Sequence, residues 1–154
     1  MQPHPDIVVI LPNIRSAHNV GAFFRTADAI GVRKIYLTGY TPTPGHPRVD
    51  KVSLGAEKTI PWEHRKTTPS LLRELRANGY SIVALEKTKK SIDYREWTPV
   101  FPLAIIVGNE VTGITPAQLA IADTVVHLPM LGTKESLNVS VAFGGLAYAI
   151  ARFF

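Results

Sequence analysis

The 154-residue chain contains no cysteine. That removes disulfides, thiolate metal sites and cysteine nucleophiles together, and it fits a reducing, cytoplasmic setting. Long apolar runs are missing too. The N-terminal stretch MQPHPDIVVILPNI lacks a basic flank and is interrupted by Pro12, so it reads neither as a secretion signal nor as an anchor. VSVAFGGLAYAI, residues 139–150, falls short of the roughly 20 residues needed to span a bilayer and reads as a buried helix. No membrane partner is expected.

Several chemical signatures are absent as well. There is no G-x-G-x-x-G behind the first strand, no phosphate loop ending in Gly-Lys-Ser/Thr, no H-E-x-x-H and no G-x-S-x-G elbow. The histidines, at 4, 18, 46, 64 and 127, are scattered without ligand spacing, so no metal site is expected.

What is present is a foldable core. At 45% hydrophobic and 19% charged residues, with no repeat, linker or low-complexity tract, the chain reads as a single domain over 1–154. Its net charge of +5 permits a polyanionic partner bound through phosphate contacts.

Apolar runs of strand length, DIVVIL (6–11), KIYLT (34–38), SIVALE (81–86), LAIIVG (103–108) and TVVHLP (124–129), alternate with helical segments. Such alternation predicts an α/β fold with a mostly parallel sheet flanked by helices. Two helices carry proline just inside the start: one with a cap at Thr68, Pro69 at the first position and Gly79 past its end, another opening at Thr115-Pro116. Residues 39–58, punctuated by Pro42, Pro44, Pro47 and three glycines, cannot form one regular element. The segment carries Arg48, Lys51 and Lys58, which suit a polyanion and equally suit a solvated loop.

Three clusters follow predicted strand ends, where open α/β sheets place ligands. The first is HNVGAFFRTADAIGV, 18–32. With Val20 as origin, Phe23, Phe24, Ala27 and Ile30 fall within about 80° and Arg25 at about 140°, on the wet side. Asn19 is placed as the residue that opens or caps this helix, leaving Arg25 near an anion-attracting N-terminus or simply solvated. The second, VGNEVTGI (107–114), sets Asn109 and Glu110 between Gly108 and Gly113, glycines that suit close backbone approach to a ligand or an ordinary turn. The third, LGTKESLNVSVAFGG, leads through Ser136, Leu137 and Asn138 into the last helix, where Ser136 or Asn138 also suits a plain N-cap. Gly144 and Gly145 inside that helix cost roughly 1 kcal/mol each relative to alanine. Close packing, for instance across a subunit interface, would offset this.

In this order and spacing the clusters resemble the SpoU/TrmH class of the SPOUT superfamily, RNA ribose 2′-O-methyltransferases that use S-adenosyl-L-methionine. The resemblance covers nearly the whole chain: Asn19 and Arg25 six apart, Glu110 in GNEVTG, and Ser136 and Asn138 in SLNVSVAFGG. It implies a deep C-terminal trefoil knot, here from segments around 82–90, 105–114 and 126–140, and a homodimer. It implies cofactor contacts at Leu85, Gly108, Asn109, Glu110, Gly113, Leu128 and Leu137. Arg25, Asn19, Ser136 and Asn138 become the expected catalytic set, with Asn19 holding Arg25 or the ribose. An RNA substrate, tRNA or rRNA, is expected to meet Arg25, Arg48 and Lys51. Arginine keeps its proton above pH 12 or so, which favours an electrostatic grip on the substrate phosphate or hydroxyl oxygen over a base role for Arg25. A catalytically silent RNA-binding protein on the same fold is the alternative.

Overall fold

The five apolar runs become β1 (Ile7–Pro12), β2 (Lys34–Thr38), β4 (Ser81–Leu85), β6 (Leu103–Ile106) and β7 (Thr124–His127) in a computed structural model that describes residues 5–154. His4 lies outside the described residues. Two further strands, β3 (Trp62–Arg65) and β5 (Ile92–Asp93), have no apolar run to announce them. Both are sheet edges, where one side faces solvent and polar residues are tolerated.

Among the described residues the seven strands are all parallel, in the order β3-β2-β1-β6-β4-β7-β5. The chain builds outward from β1 to β3, jumps to β4 and β5 on the other side, then returns. β6 enters between β1 and β4, and β7 between β4 and β5. β1 and β6 are buried along their whole length, which is why they read as unbroken apolar runs.

Alternation along β1 divides the core. Ile7, Val9 and Leu11 face α1 (Ala17–Ile30) and α6 (Val139–Ala151), where Phe23 and Phe143 meet with ring centroids 5.0 Å apart. Val8 and Ile10 face α4 (Thr68–Ala77), whose Leu71, Leu72 and Leu75 fill the opposite layer, flanked by α5 (Pro116–Ile121). Residues 39–58 hold one short helix, α2 (Pro47–Ser53), and most of a second, α3 (Ala56–Thr59). Gly21 admits α2 against α1, since a Cβ there would stand 2.7 Å from both the Val49 carbonyl oxygen and Val52 Cβ.

Helix starts differ from expectation in two places. Ser16, not Asn19, caps α1, its hydroxyl accepting from Asn19 N at 3.1 Å, so Asn19 lies inside the first turn. α4 starts one residue earlier than expected, with Thr67 at the N-cap position but making no side-chain capping bond. The Thr68 hydroxyl is drawn instead into a buried 2.6 Å pairing with Thr38. α5 starts as expected, with Thr115 and Gln118 forming a reciprocal capping box.

Candidate functional site

The ends of β4, β6 and β7 open onto a cleft of about 330 Å³. Leu85, Glu86 and Lys87 line it from β4, and Gly108 to Val111 with Gly113 from β6. His127, Leu128 and Met130 follow from β7, and Glu135 to Val139 with Ala142 close it from the approach to α6. Three loops far apart in sequence meet here because strand insertion makes β4, β6 and β7 neighbours.

The loop behind β6 is shaped by its own backbone. A Cβ on Gly108 would lie 2.6 Å from the Gly113 carbonyl carbon, so the close approach of the two glycines by itself requires glycine at 108. Gly113 has φ of +70°, and a Cβ there would sit 2.5 Å from Glu86 Oε2. That oxygen accepts from Ile114 N at 2.8 Å and ties the end of β4 to the loop. Asn109 Oδ1 accepts from Val111 N and Thr112 N, while its Nδ2 donates to Asn13 O at 2.7 Å and Tyr40 Oη at 3.0 Å.

Glu110 turns its carboxylate to α1. Oε1 accepts from Arg15 N and Oε2 from Ser16 N, both at 2.8 Å, and Asn19 Nδ2 adds a third bond at 3.1 Å. α1 has no acidic residue in its own first turn, so this distant carboxylate supplies the negative charge its N-terminus favours. Burial pushes the Glu110 carboxyl up, but the Arg15 and Ser16 N–H donors more than offset it and hold it below the usual carboxylate range.

The chain of bonds continues to the third cluster. Asn19, 5% exposed, accepts at Oδ1 from Asn138 Nδ2 at 3.1 Å. Asn138 caps α6, its Oδ1 accepting from Ser140 N at 2.9 Å and Val141 N at 3.2 Å. Both amides are therefore committed within the chain. Ser136 is exposed on the cleft wall.

The expected grouping of Asn19 with Arg25 does not form. Both lie in α1, and six helical residues place them about 240° apart. Arg25 is exposed in the second half of the helix, away from its N-terminus. It lies within about 60° of both Gly21 and Asp28, the side of α1 turned to α2 and α3. Asn19, Arg25, Arg48 and Lys51 all stay off the walls of this chain's cleft. Arg48 and Lys51 are exposed on α2.

The last helix is not wholly buried. Phe143, Leu146, Ala147 and Ile150 enter the core, while Val141 and Tyr148, 58% and 62% exposed, form an uncovered outer face with Gly145. Nothing stands within 4 Å of a Cβ built on Gly144, so no packing inside the chain offsets that glycine.

Glu86, Lys87, His127 and Met130 escaped the sequence reading. Glu86 ends the predicted strand 81–86 and Lys87 follows it, a signal visible in sequence. Nothing local marks the others. Among the described residues no acidic, histidine or cysteine cluster could hold a metal ion, and no helix is long and apolar enough to cross a membrane.

Residues 6–148 match the SpoU rRNA Methylase family. The tRNA (guanosine(18)-2′-O)-methyltransferase of Thermus thermophilus is 34% identical over 151 residues, covering 96% of this chain and 75% of its own. The chain spans 64% of the Escherichia coli enzyme of the same name, at 32% identity. Among solved structures, the AdoMet-bound rRNA methyltransferase from Sinorhizobium meliloti superposes with TM-score 0.91 at 29% identity, covering 100% of this chain and 59% of that one. The Aquifex aeolicus TrmH/SpoU tRNA modifying enzyme superposes with TM-score 0.87 at 33% identity, covering 97% and 75%.

Proposed function

The chain belongs to the SpoU rRNA Methylase family, and from that premise we propose that it transfers the methyl group of S-adenosyl-L-methionine to a ribose 2′-hydroxyl of tRNA or rRNA. The carrying observation is the cleft at the ends of β4, β6 and β7, where the second and third sequence clusters meet and are tied to the first through Glu110, Asn19 and Asn138.

The cleft suits that cofactor. Its volume lies in the range of small-molecule sites. Leu85, Leu128 and Leu137 offer apolar walls to an adenosine, and the Glu86 and Glu135 carboxylates offset the positive charge of a sulfonium and an ammonium. When bound, the cofactor supplies an electrophilic methyl group. The chain's own residues then have to shield the cleft and hold the acceptor hydroxyl in line. Gly108 and Gly113 keep the loop tight enough to form one wall, and Glu110 and Asn138 fix the walls to α1 and α6.

Arg25 is the residue we assign to the acceptor. It grips the substrate phosphate or hydroxyl oxygen and stabilises negative charge as it develops. Because Arg25 stays off its own cleft, the same reading places it in the cleft of a second protomer. The uncovered face of α6 supports a homodimer. The return of β6 and β7 between earlier strands supports a trefoil knot built from the segments around 82–90, 105–114 and 126–140. On this reading the described chain acts as one methyltransferase domain.

The test is transfer of labelled methyl to undermodified tRNA and rRNA fractions, with Arg25→Ala beside the wild type. Label in one fraction, lost in the variant, is the expected result. A silent RNA-binding protein would show neither label nor stabilisation by S-adenosyl-L-methionine. A cofactor-binding enzyme gains about 2.7 kcal/mol at a hundred times Kd.

A further inference from the structure

Tyr40 is 61% exposed, yet it is not a loose side chain. Its backbone N–H donates to Asn13 Oδ1 at 3.1 Å, and its phenolic oxygen accepts from Asn109 Nδ2 at 3.0 Å. Both anchors are themselves fixed. Asn13 is held at φ of +50°, close enough to Gly39 that a Cβ there would fall 1.9 Å from Asn13 Oδ1, and Asn109 also donates to Asn13 O. On the other side Thr41 is buried and bonded to Leu11 O and Ile14 N. The ring is thus pinned at both ends with its body in solvent, and among the described residues no aromatic ring or cation lies over it.

Its position completes the picture. Asn109 lies in the cleft wall, so the ring stands on the shoulder of the cleft. Cationic residues flank the loop along the backbone: Arg15, whose N–H donates to Glu110, is exposed two positions beyond Asn13, and exposed Lys66 follows Arg65, whose carbonyl accepts from Gly39 N. His64 Nε2 pairs with Gly39 O at 2.8 Å. An exposed, pre-ordered aromatic ring on a loop flanked by cationic residues matches what single-stranded RNA seeks: a stacking face with phosphate partners along the same surface.

Resting on the methyl-transfer reading above, we propose that Tyr40 is a stacking platform for a nucleobase of the acceptor RNA, at or beside the methylated nucleotide. Because the ring is already immobilised, stacking costs little ordering. Every base has a π-face, so the contribution is tolerant of base identity.

The experiment measures methyl transfer to undermodified bacterial tRNA and rRNA fractions by wild type, Tyr40→Leu and Tyr40→Phe, with calorimetric titration of S-adenosyl-L-methionine. Tyr40→Leu is expected to raise KM for RNA about tenfold or more with kcat far less affected, the size of one lost base stack. Cofactor affinity stays at the wild-type value. Tyr40→Phe, which keeps the ring, recovers most of the loss. An unchanged KM in Tyr40→Leu overturns the proposal. So does equal damage in both variants with weakened cofactor binding, which makes Tyr40 a prop for Asn109, or a change in sedimentation, which makes it a contact between copies. If the wild type neither methylates nor retains RNA, the methyl-transfer reading itself fails, and the platform with it.

Discussion

Glu110 and Asn19, 91 positions apart in sequence, meet through a 3.1 Å hydrogen bond from the Asn19 amide to the carboxylate. Asn19 passes the link on to Asn138 at 3.1 Å, so one buried amide joins the start of α1, the loop behind β6 and the start of α6. The direction of the amide follows from charge: its Nδ2 must face the carboxylate, which leaves Oδ1 for Asn138. Family residues that look like separate catalytic candidates in sequence form one strut in the fold.

Glu110→Gln should destabilise the protein by about 1–2 kcal/mol, since charge-assisted bonds to Arg15 N and Ser16 N are weakened while the exposed setting screens them. The pH dependence has a definite sign. The folded Glu110 carboxyl lies below its unfolded value, so its stabilisation is complete above the ordinary carboxylate pKa and fades as pH falls through the folded one. Urea unfolding across the acid range checks this. The wild-type stability should fall more steeply than that of Glu110→Gln.

Asn138→Ala removes a helix cap and a partner of Asn19 together. A loss of about 2 kcal/mol is expected, a cap and a buried hydrogen bond. A double-mutant cycle with Asn19→Ala should show clear coupling between the two. Additive losses would mean that the 3.1 Å contact carries no energy.

Gly108→Ala puts a methyl group 2.6 Å from the Gly113 carbonyl carbon, a backbone atom that cannot swing away. The expected cost is about 1–3 kcal/mol of overpacking, with loss of S-adenosyl-L-methionine binding as the cleft wall shifts. Gly144→Ala is the contrast. Inside one chain it meets nothing and should stabilise α6 by up to about 1 kcal/mol.

The outer face of α6 tests the assembly. Tyr148→Asp places a charge on the uncovered apolar stripe that includes Val141. On the proposed homodimer, sedimentation should show the wild type as a dimer and Tyr148→Asp as a monomer while circular dichroism remains native. A wild type that already sediments as a monomer at active concentrations removes the dimer.

If Arg25 serves the cleft of its partner in the proposed homodimer, Arg25→Ala and the cleft variant Leu137→Arg should each be inactive yet complement each other when refolded together. Random pairing makes half the dimers mixed, each with one intact shared site, so about a quarter of wild-type activity should return. No recovery would place Arg25 and the cleft of the same protomer together.

The core of the sheet was legible in sequence because strands buried on both faces must be apolar throughout, as in IVVILP and LAII. The edges β3 and β5 were not, because WEHR and ID carry no such constraint. Local chemistry also marked the helix start at Thr115-Pro116 and narrowed the last cap to Ser136 or Asn138, of which Asn138 is the one that caps, since these bonds span only two or three residues. What the sequence by itself determined is therefore whatever acts over a few residues: strand composition, helix periodicity, caps and the three clusters with their order. Only the tertiary structure decided where those clusters point. The insertion of β6 and β7 among earlier strands brings Leu85, Gly108 and Leu128 to one cleft. The packing of α2 and α3 on the Gly21 and Asp28 side of α1 sets the surroundings of Arg25 and leaves it off the cleft. A parallel sheet joins strands through long crossovers, so its contacts are non-local, and no short window of sequence contains both Glu110 and the start of α1 that it holds.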